Sequence, residues 1–430
     1  MSQLTVAIVI FVVSLLMYVT NVLPMSIVAL LTTMAYFFAG CIDQSQAFAG
    51  FSDGSALIMA GMFVICTGFI RTRFMDRMSA QIARLSGGSL KKAWAGMIVL
   101  GVLATNFISS PPAAFAFCVP FCLAICREFN LSPAKLMFGL GVVVIGNAGA
   151  LPFATNIYIA TRNVGYFEAY GLARYALSPI DYTIGRFPVM LLTMVWAHLY
   201  TLRFGPEQPD IPPQDIVGAS EKASRAPLTD FQETAAIVIF FVVAFFQAFA
   251  NQLGISAWQS AVVGGLLMVV CGVLSEADAI RALPISMIAI YAGGLATGSA
   301  LYGTGAGKVI GDWLAGLVGH TTNNMVLGTL FFVVPFVLTQ FMSNAGVTAI
   351  FIPLSMLTCS AMGADPRGIV ILVGSAAMTA FLTPMATVTV PMVMGAGGYK
   401  INSLFKHGWL VSLLMCAAYV PWVMTIFPAF

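Results

Sequence analysis

Ten long apolar segments dominate this sequence, and none of them contains an Asp, Glu, Lys or Arg residue. An α-helix needs about 20 apolar residues to cross the hydrocarbon layer of a membrane. Because 60% of the 430 residues are hydrophobic and only 8% are charged, too little polar surface exists to cover a water-soluble body of this size. We therefore predict an all-α integral membrane protein with spans at residues 4–20, 23–42, 54–70, 136–160, 187–202, 234–252, 257–274, 283–303, 369–393 and 408–428.

The composition and charge of the chain also exclude several classes of protein. A soluble globule and a disordered chain both need more polar residues, and a formal net charge of +3 gives no basic field for a nucleic acid. The eight cysteines stand singly in apolar runs without the spacing of a metal site, so we interpret them as packing residues. The first 19 residues lack a basic region and a clear cleavage site, and we interpret them as the first span rather than a removed signal peptide.

Two further apolar stretches, 93–126 and 324–360, are each interrupted near the middle by a small polar cluster. Irregular backbone at membrane depth is tolerated only where protein or a water-filled cavity covers it. We therefore predict two re-entrant hairpins whose tips lie inside the protein. The clusters at these tips are Ser109-Ser110-Pro111-Pro112 and Ser343-Asn344-Ala345-Gly346.

The distribution of basic residues predicts the orientation in the membrane. Cytoplasmic loops carry an excess of Lys and Arg. Placing both termini outside puts 14 of the 19 basic residues in the cytoplasm, and the inverse placement puts only five there. The five predicted to face outward are Arg162, Arg174, Arg186, Lys308 and Arg367.

The chain is an internal repeat with a constant offset of 233 residues. Residues 1–204 and 231–430 each hold five spans and one hairpin, and 205–230 form a charged, proline-containing cytoplasmic linker. Five is an odd number, so the second copy is expected to be inverted, which is the pattern of secondary transporters with a midplane site. The alternative is that the small and polar residues only aid helix packing. The matched pairs are Ser110 with Ser343, Pro120 with Pro353, Gly61 with Gly294, and Gly141 with Gly374.

A second pair of interruptions follows the hairpins, at 146–156 and 382–389. With a one-residue slip, Pro152-Phe153-Ala154-Thr155 aligns with Pro384-Met385-Ala386-Thr387. A proline inside a span removes one intrahelical hydrogen bond and frees a carbonyl group. We predict that both spans are broken at the midplane, with a plain proline kink as the alternative.

Four broken helices that meet at mid-depth offer two kinds of group. Their N-terminal ends suit an anion, and unwound carbonyls with Ser, Thr and Asn oxygens suit a hard cation such as Na⁺. A buried carboxylate costs tens of kcal/mol, whereas a helix end returns about 0.3–2 kcal/mol. Since no predicted span contains a basic residue, a multivalent anion needs co-bound cations or substantial water, and we predict Na⁺-coupled symport of a small anion. A proton-coupled or exchange carrier is the main alternative, and a channel or a membrane-embedded enzyme is less favoured.

These motifs resemble those of the divalent-anion/sodium symporter family. The resemblance covers nearly the whole chain and is most specific at residues 341–353, which read Phe-Met-Ser-Asn-Ala-Gly-Val-Thr-Ala-Ile-Phe-Ile-Pro, and at Phe381–Tyr399. It implies a homodimer in the bacterial inner membrane that carries a dicarboxylate, citrate or sulfate with Na⁺ by an elevator movement. The first three spans of each half would form the scaffold. Members commonly have an extra N-terminal span, whose absence here places the N-terminus outside.

The resemblance also implies site residues. If Pro120 sets the register, this chain departs from the family at Pro111 and Pro112, which lack side-chain oxygens, whereas a shift of one residue puts Ser109-Ser110-Pro111 over the motif instead. It also departs at Ala345 and Val390. These departures predict a smaller or less charged substrate, or fewer Na⁺ ions per cycle. The implied sodium ligands are Asn106, Ser110, Pro111 and the backbone at Ala154 for a first site, and Thr339, Ser343, Asn344 and the backbone at Ala386 for a second. The candidate substrate contacts are Ser109, Ser110, Pro111, Thr155, Asn156, Ser343, Asn344, Ala345 and Thr387.

Overall fold

A computed structural model gives the three-dimensional structure of the chain. It describes residues 2–20, 23–108, 110–152, 172–213, 227–249, 253–305, 323–341, 344–385 and 387–430, with isolated helical positions at 156, 159–160, 163, 167, 309 and 316.

The first half of the described chain is helical, and its breaks fall at the predicted clusters. One helix ends at Phe107 and the next begins at Pro111, while another ends at Gly146, where the second interruption begins. The helices are α1 Gln3–Thr20, α2 Met25–Phe38, α3 Gln44–Ser52, α4 Gly54–Ile70, α5 Arg73–Ser86, α6 Leu90–Phe107, α7 Pro111–Glu128, α8 Met137–Gly146 and α9 Pro179–Phe204.

The second half has described helices in the order of α1–α4 and α6–α9, while the equivalent of α5 falls almost entirely outside the described residues and Thr389–Gly397 has no described equivalent in the first half. Helices end at Thr339 and at Ala377, one and two residues before the positions that the offset of 233 residues gives from Phe107 and Gly146. The helices are α10 Asp230–Ala248, α11 Ala257–Val270, α12 Glu276–Ala282, α13 Ile285–Gly303, α14 Asn324–Thr339, α15 Asn344–Met362, α16 Arg367–Ala377, α17 Thr389–Gly397 and α18 Ile401–Ile426.

Several of these helices are compatible with a membrane protein. Among the described residues, five are long and apolar enough to cross a bilayer, or six if α12 and α13, which meet at a 43° bend, count as one span. The predicted spans 4–20, 23–42 and 257–274 contain shorter apolar helices. The long helices are Gln44–Ile70, Pro111–Glu128, Pro179–Phe204, Asp230–Gln247 and Ile401–Ile426.

Helix α9 corrects the prediction that no span contains a basic residue. It begins eight residues before the predicted span at 187, because Ser178 caps it: the Ser178 Oγ accepts a hydrogen bond from the Asp181 N–H, and the Asp181 carboxylate accepts one from the Ser178 N–H. Arg186 therefore lies inside a membrane-compatible helix, with 2% of its surface exposed.

A carboxylate also lies within a long apolar segment. Asp53 separates α3 from α4, which together run Gln44–Ile70, and its Oδ1 accepts a hydrogen bond of 2.9 Å from the Tyr291 hydroxyl on α13. The sequence placed this residue at the end of the span 54–70, because the short helix before it is less apolar.

The early helices of the two halves pack on each other through glycines. Helix α4 crosses α11 at Gly61, where an added Cβ would lie 2.3 Å from the Ala261 carbonyl oxygen. Helix α13 crosses α2 at Gly293, where an added Cβ would lie 2.7 Å from that of Ala29. Since each crossing joins one half to the other, the early helices form one body.

Helix α5 links this body to the first hairpin. It packs against α6 and α7, and Arg73 at its start forms ion pairs with Glu233 and Asp230 on α10. Hydrogen bonds to these two carboxylates raise the pKa of the Arg73 guanidinium. These contacts tie α5 both to α10 and to the helices α6 and α7.

Candidate functional site

Three oxygen atoms from three elements converge where the second hairpin breaks. The Thr339 Oγ1 at the end of α14 lies 2.9 Å from the Asn344 Oδ1 at the start of α15 and 3.1 Å from the carbonyl oxygen of Ala377, the last residue of α16. Thr339 is fully buried and Asn344 is half-buried. A hydroxyl has one proton, so it donates to only one of the two acceptors at a time. Clustered carboxamide, hydroxyl and carbonyl oxygens are the ligands that hard cations prefer. We call these three atoms the Thr339 oxygen cluster.

Gln340 ties the hairpin break to the unwound segment that follows α16. Its Nε2 donates to the Phe336 carbonyl at 3.0 Å, and its Oε1 accepts from the Leu382 N–H at 3.1 Å. The Thr383 hydroxyl donates to the Gln340 carbonyl. The unwound backbone thus gains partners that a helix would have supplied. Our sequence reasoning missed Gln340, although a Gln beside a break in an apolar stretch was a usable signal.

We expect Gln340→Met to destabilise the protein and lower its transport rate. The Leu382 N–H would be buried without a partner, which costs about 1–3 kcal/mol. Thermal unfolding in detergent and uptake into proteoliposomes would measure both effects. Gln81→Met is the matched control, because Gln81 is exposed on α5. Equal behaviour of the two variants would contradict this role for Gln340.

Asn106 likewise ties the end of a helix to an unwound segment in the first half. Its Nδ2 donates to the carbonyls of Val102 at 2.8 Å and Asn147 at 3.1 Å, and its Oδ1 accepts from the Leu151 N–H at 2.9 Å. Both ends of its amide are therefore bound to protein. The unwound segment turns through Gly149, whose φ of 71° a glycine adopts at no steric cost.

The other described candidates lie around the breaks. Asn156 is fully buried; its Nδ2 donates to the Gly149 carbonyl at 3.2 Å and the Thr183 hydroxyl at 3.1 Å, and its Oδ1 has no partner among the described residues. Asn106 and Asn156 thus meet at one unwound segment. Ser110 precedes α7 without capping it by its side chain, Pro111 begins that helix, and Thr387 lies half-buried between α16 and α17.

Several predicted site residues have no described placement. The backbone of Ala345 lies in α15, but its side chain is outside the described atoms. The candidates that lie outside the described residues altogether are Ser109, Ala154, Thr155, Ser343 and Ala386.

Arg186 brings the two unwound regions together. Its Nη2 donates to the carbonyl of Gly146, the last residue of α8, at 3.0 Å. Its Nη1 lies 3.5 Å from the Ser375 Oγ on α16 and 3.7 Å from the Met378 Sδ just beyond it. The ends of α8 and α16 therefore lie within reach of one guanidinium group, although they are far apart in the sequence.

A sequence model described as a citrate transporter matches residues 15–374 and 254–429, which together make up nearly the whole chain. The chain belongs to the citrate transporter family. This match, with the relatives below, confirms the resemblance to divalent-anion/sodium symporters, and it establishes an integral membrane transporter rather than an enzyme.

Three curated relatives of this citrate transporter family member match it over most of their own length. An uncharacterized transporter from Haemophilus influenzae is 23% identical over 424 residues, covering 93% of this chain and 86% of that protein. The sodium-dependent dicarboxylate transporter SdcS of Staphylococcus saprophyticus is 22% identical over 437 residues, covering 92% and 81%. SdcS of Staphylococcus aureus is 21% identical over 430 residues, with the same coverage.

Proposed function

We propose that this protein is a secondary active transporter that couples the movement of a dicarboxylate- or citrate-type anion to Na⁺. The observation that carries the proposal is the Thr339 oxygen cluster, which offers three neutral oxygen ligands to a cation between two helix breaks. Two relatives are named sodium-dependent dicarboxylate transporters, and the family is described as citrate transporters. A bound cation would compensate part of the charge of a multivalent anion, whose burial alone is unfavourable.

An inverted repeat is part of the proposal. Its support is that the order of helices α1–α4 and α6–α9 recurs in residues 230–426, with breaks within two residues of the equivalent places. Arg186 contacts the ends of both α8 and α16, as expected if the broken helices meet in one pocket. Hairpins that enter from opposite sides would give the two halves of alternating access.

A cavity of about 450 Å³ supports the proposed orientation. It lies between the early helices α2 and α13 on one side and α17 on the other, and two linker residues, Ile211 and Pro212, also line it. Its walls come from four segments that the distribution of basic residues places in the cytoplasm or at the cytoplasmic ends of predicted spans. These wall segments lie within residues 23–26, 211–212, 286–290 and 391–400. We propose that this cavity is the cytoplasmic vestibule, with both chain termini on the outer side of a bacterial inner membrane.

The proposal also includes an elevator movement, in which the late helices move against the early ones. It further includes a homodimer that forms through the early helices. The interlocked glycine crossings of α4 with α11 and α13 with α2 support a fixed body, since such contacts leave no room to slide. Helix α17 borders the vestibule and contacts α8, so it belongs with the proposed mobile part.

Uptake into proteoliposomes tests the function. We expect succinate or citrate to accumulate with an inward Na⁺ gradient and to fail to accumulate when choline replaces Na⁺ under an equal membrane potential. Accumulation driven by a proton gradient without Na⁺ would establish a proton-coupled carrier instead. Flux that requires an anion on the opposite side would establish exchange.

A further inference from the structure

The C-terminal end of α8 is closed by side-chain donors. The last four carbonyl groups of a helix have no intrahelical partner and need donors or a cation from elsewhere. Here side chains supply donors to Val143, Val144 and Gly146 and to the next residue, Asn147, while the Ile145 carbonyl accepts from the Ala148 backbone N–H. The bonds run from the Asn147 Nδ2 to the Val143 carbonyl (2.7 Å), from the Thr105 Oγ1 to Val144 (2.9 Å), from the Arg186 Nη2 to Gly146 (3.0 Å) and from the Asn106 Nδ2 to Asn147 (3.1 Å).

One of these donors carries a full charge. Arg186 is almost completely buried, and no carboxylate of the described residues forms an ion pair with it. A buried charge without compensation is very unfavourable. The compensation comes from helix ends, since each C-terminus carries about half a negative charge and the ends of α8 and α16 both face this guanidinium. Gly146 and Met378 are equivalent under the slipped alignment of Pro152 with Pro384, so the charge lies between matching points of the two halves.

The second half is built differently. The carbonyl of Ala377 at the end of α16 faces the Thr339 hydroxyl and, through it, the Asn344 side-chain oxygen. The first half has Pro111 at the position equivalent to Asn344, and a proline offers no side-chain oxygen. At the expected first sodium site of Asn106, Ser110, Pro111 and Ala154, Pro111 therefore adds no side-chain oxygen, and the Asn106 Oδ1 already accepts one hydrogen bond from the Leu151 N–H.

We propose that Arg186 is a resident cation that replaces one coupling Na⁺, so that this chain binds a single Na⁺, at the Thr339 oxygen cluster. The inference rests on the proposed Na⁺ coupling and adds its number and the residue that sets it. A fixed charge travels with the protein and is not released, so each cycle would move one fewer Na⁺ than in a transporter with a cation site in each half.

Direct counting of bound ²²Na⁺ on the purified full-length protein tests the number. We expect about one Na⁺ per chain in the wild type, none in Asn344→Ala and an unchanged count in Asn402→Ala, a control at an exposed position of α18. Two ions in the wild type, none in the wild type, or an ion retained in Asn344→Ala would each overturn the proposal. If one Na⁺ binds but neither succinate nor citrate is transported, the proposed substrate is wrong and the proposed number of bound Na⁺ ions is supported.

Variants of Arg186 test the charge separately from the hydrogen bond. Lysine keeps the charge, whereas glutamine keeps a donor for the Gly146 carbonyl and removes the charge. We expect a Hill slope for Na⁺ of about one for Arg186→Lys and for the exposed control Arg174→Gln, and a rise to about two for Arg186→Gln as a second cation takes the vacated position. An unchanged slope and affinity in Arg186→Gln would overturn the assignment. If Arg186→Gln does not fold, the wild-type ion count still decides.

Discussion

Replacing Asn344 with alanine is expected to abolish Na⁺-driven uptake while the protein still folds. The Asn344 Oδ1 is one of the three atoms of the Thr339 oxygen cluster, and the side chain is half-buried at the first turn of α15, so little packing is lost. Interactions of polar groups with a charge contribute about 1.5–3 kcal/mol. The Na⁺ affinity should therefore fall about tenfold to a hundredfold.

The measurement is uptake as a function of Na⁺ concentration, together with thermal stabilisation by Na⁺. Two matched variants sharpen it: Thr339→Ser keeps the hydroxyl oxygen of the cluster, and Thr339→Val removes it at nearly the same volume. We expect Thr339→Ser to retain Na⁺ dependence and Thr339→Val to lose it, with Asn402→Ala unaffected. Wild-type uptake by Asn344→Ala would remove this residue from the site and leave the oxygen cluster as a helix cap.

Gly61→Ala is expected to cause the second large effect, on folding rather than transport. The new Cβ would lie 2.3 Å from the Ala261 carbonyl oxygen, and a backbone atom cannot rotate away as a side chain can. Overpacking costs 1–3 kcal/mol when neighbours adjust, and here we expect about 3 kcal/mol or more. Less protein should survive purification, and its melting temperature should fall.

Gly96 provides the control for this variant. It lies within α6, and an added Cβ there would meet no heavy atom within 4 Å. Gly96→Ala should leave the stability unchanged or raise it by about 1 kcal/mol through helix propensity. If Gly61→Ala has the same melting temperature as Gly96→Ala, the two halves do not interlock at the crossing of α4 with α11.

The breaks could be predicted from the sequence because they are local. Prolines, glycines and short polar side chains interrupt a helix wherever they occur in an apolar run, and two hairpin breaks and two later breaks stand where these residues cluster. The equivalence of Ser110 with Ser343 and of Pro152 with Pro384 is likewise visible in the sequence. Thr339 and Asn344 were named from a family resemblance, and the structure places their oxygens 2.9 Å apart.

The roles of Arg186, Gln340 and Asn106 could not be predicted in the same way. Arg186 looked like a loop residue because it precedes an apolar segment, and only the cap at Ser178 places it inside α9. Asn106 was predicted as a sodium ligand from the resemblance, whereas the hydrogen bond that its oxygen accepts from the Leu151 N–H is visible only in the structure. Each outcome depends on which groups lie opposite a side chain, and one sequence does not contain that information.

The sequence alone determined that this chain is a helical membrane protein, because the hydrocarbon layer demands long apolar helices and tolerates breaks only in special places. The tertiary structure decided which polar groups face one another across those breaks. It brought Arg186 to Ser375, 189 residues away, and Gln340 to Leu382. The physical reason is that apolarity fixes what is buried in lipid, whereas hydrogen bonds and charge compensation depend on distances between segments that only folding sets.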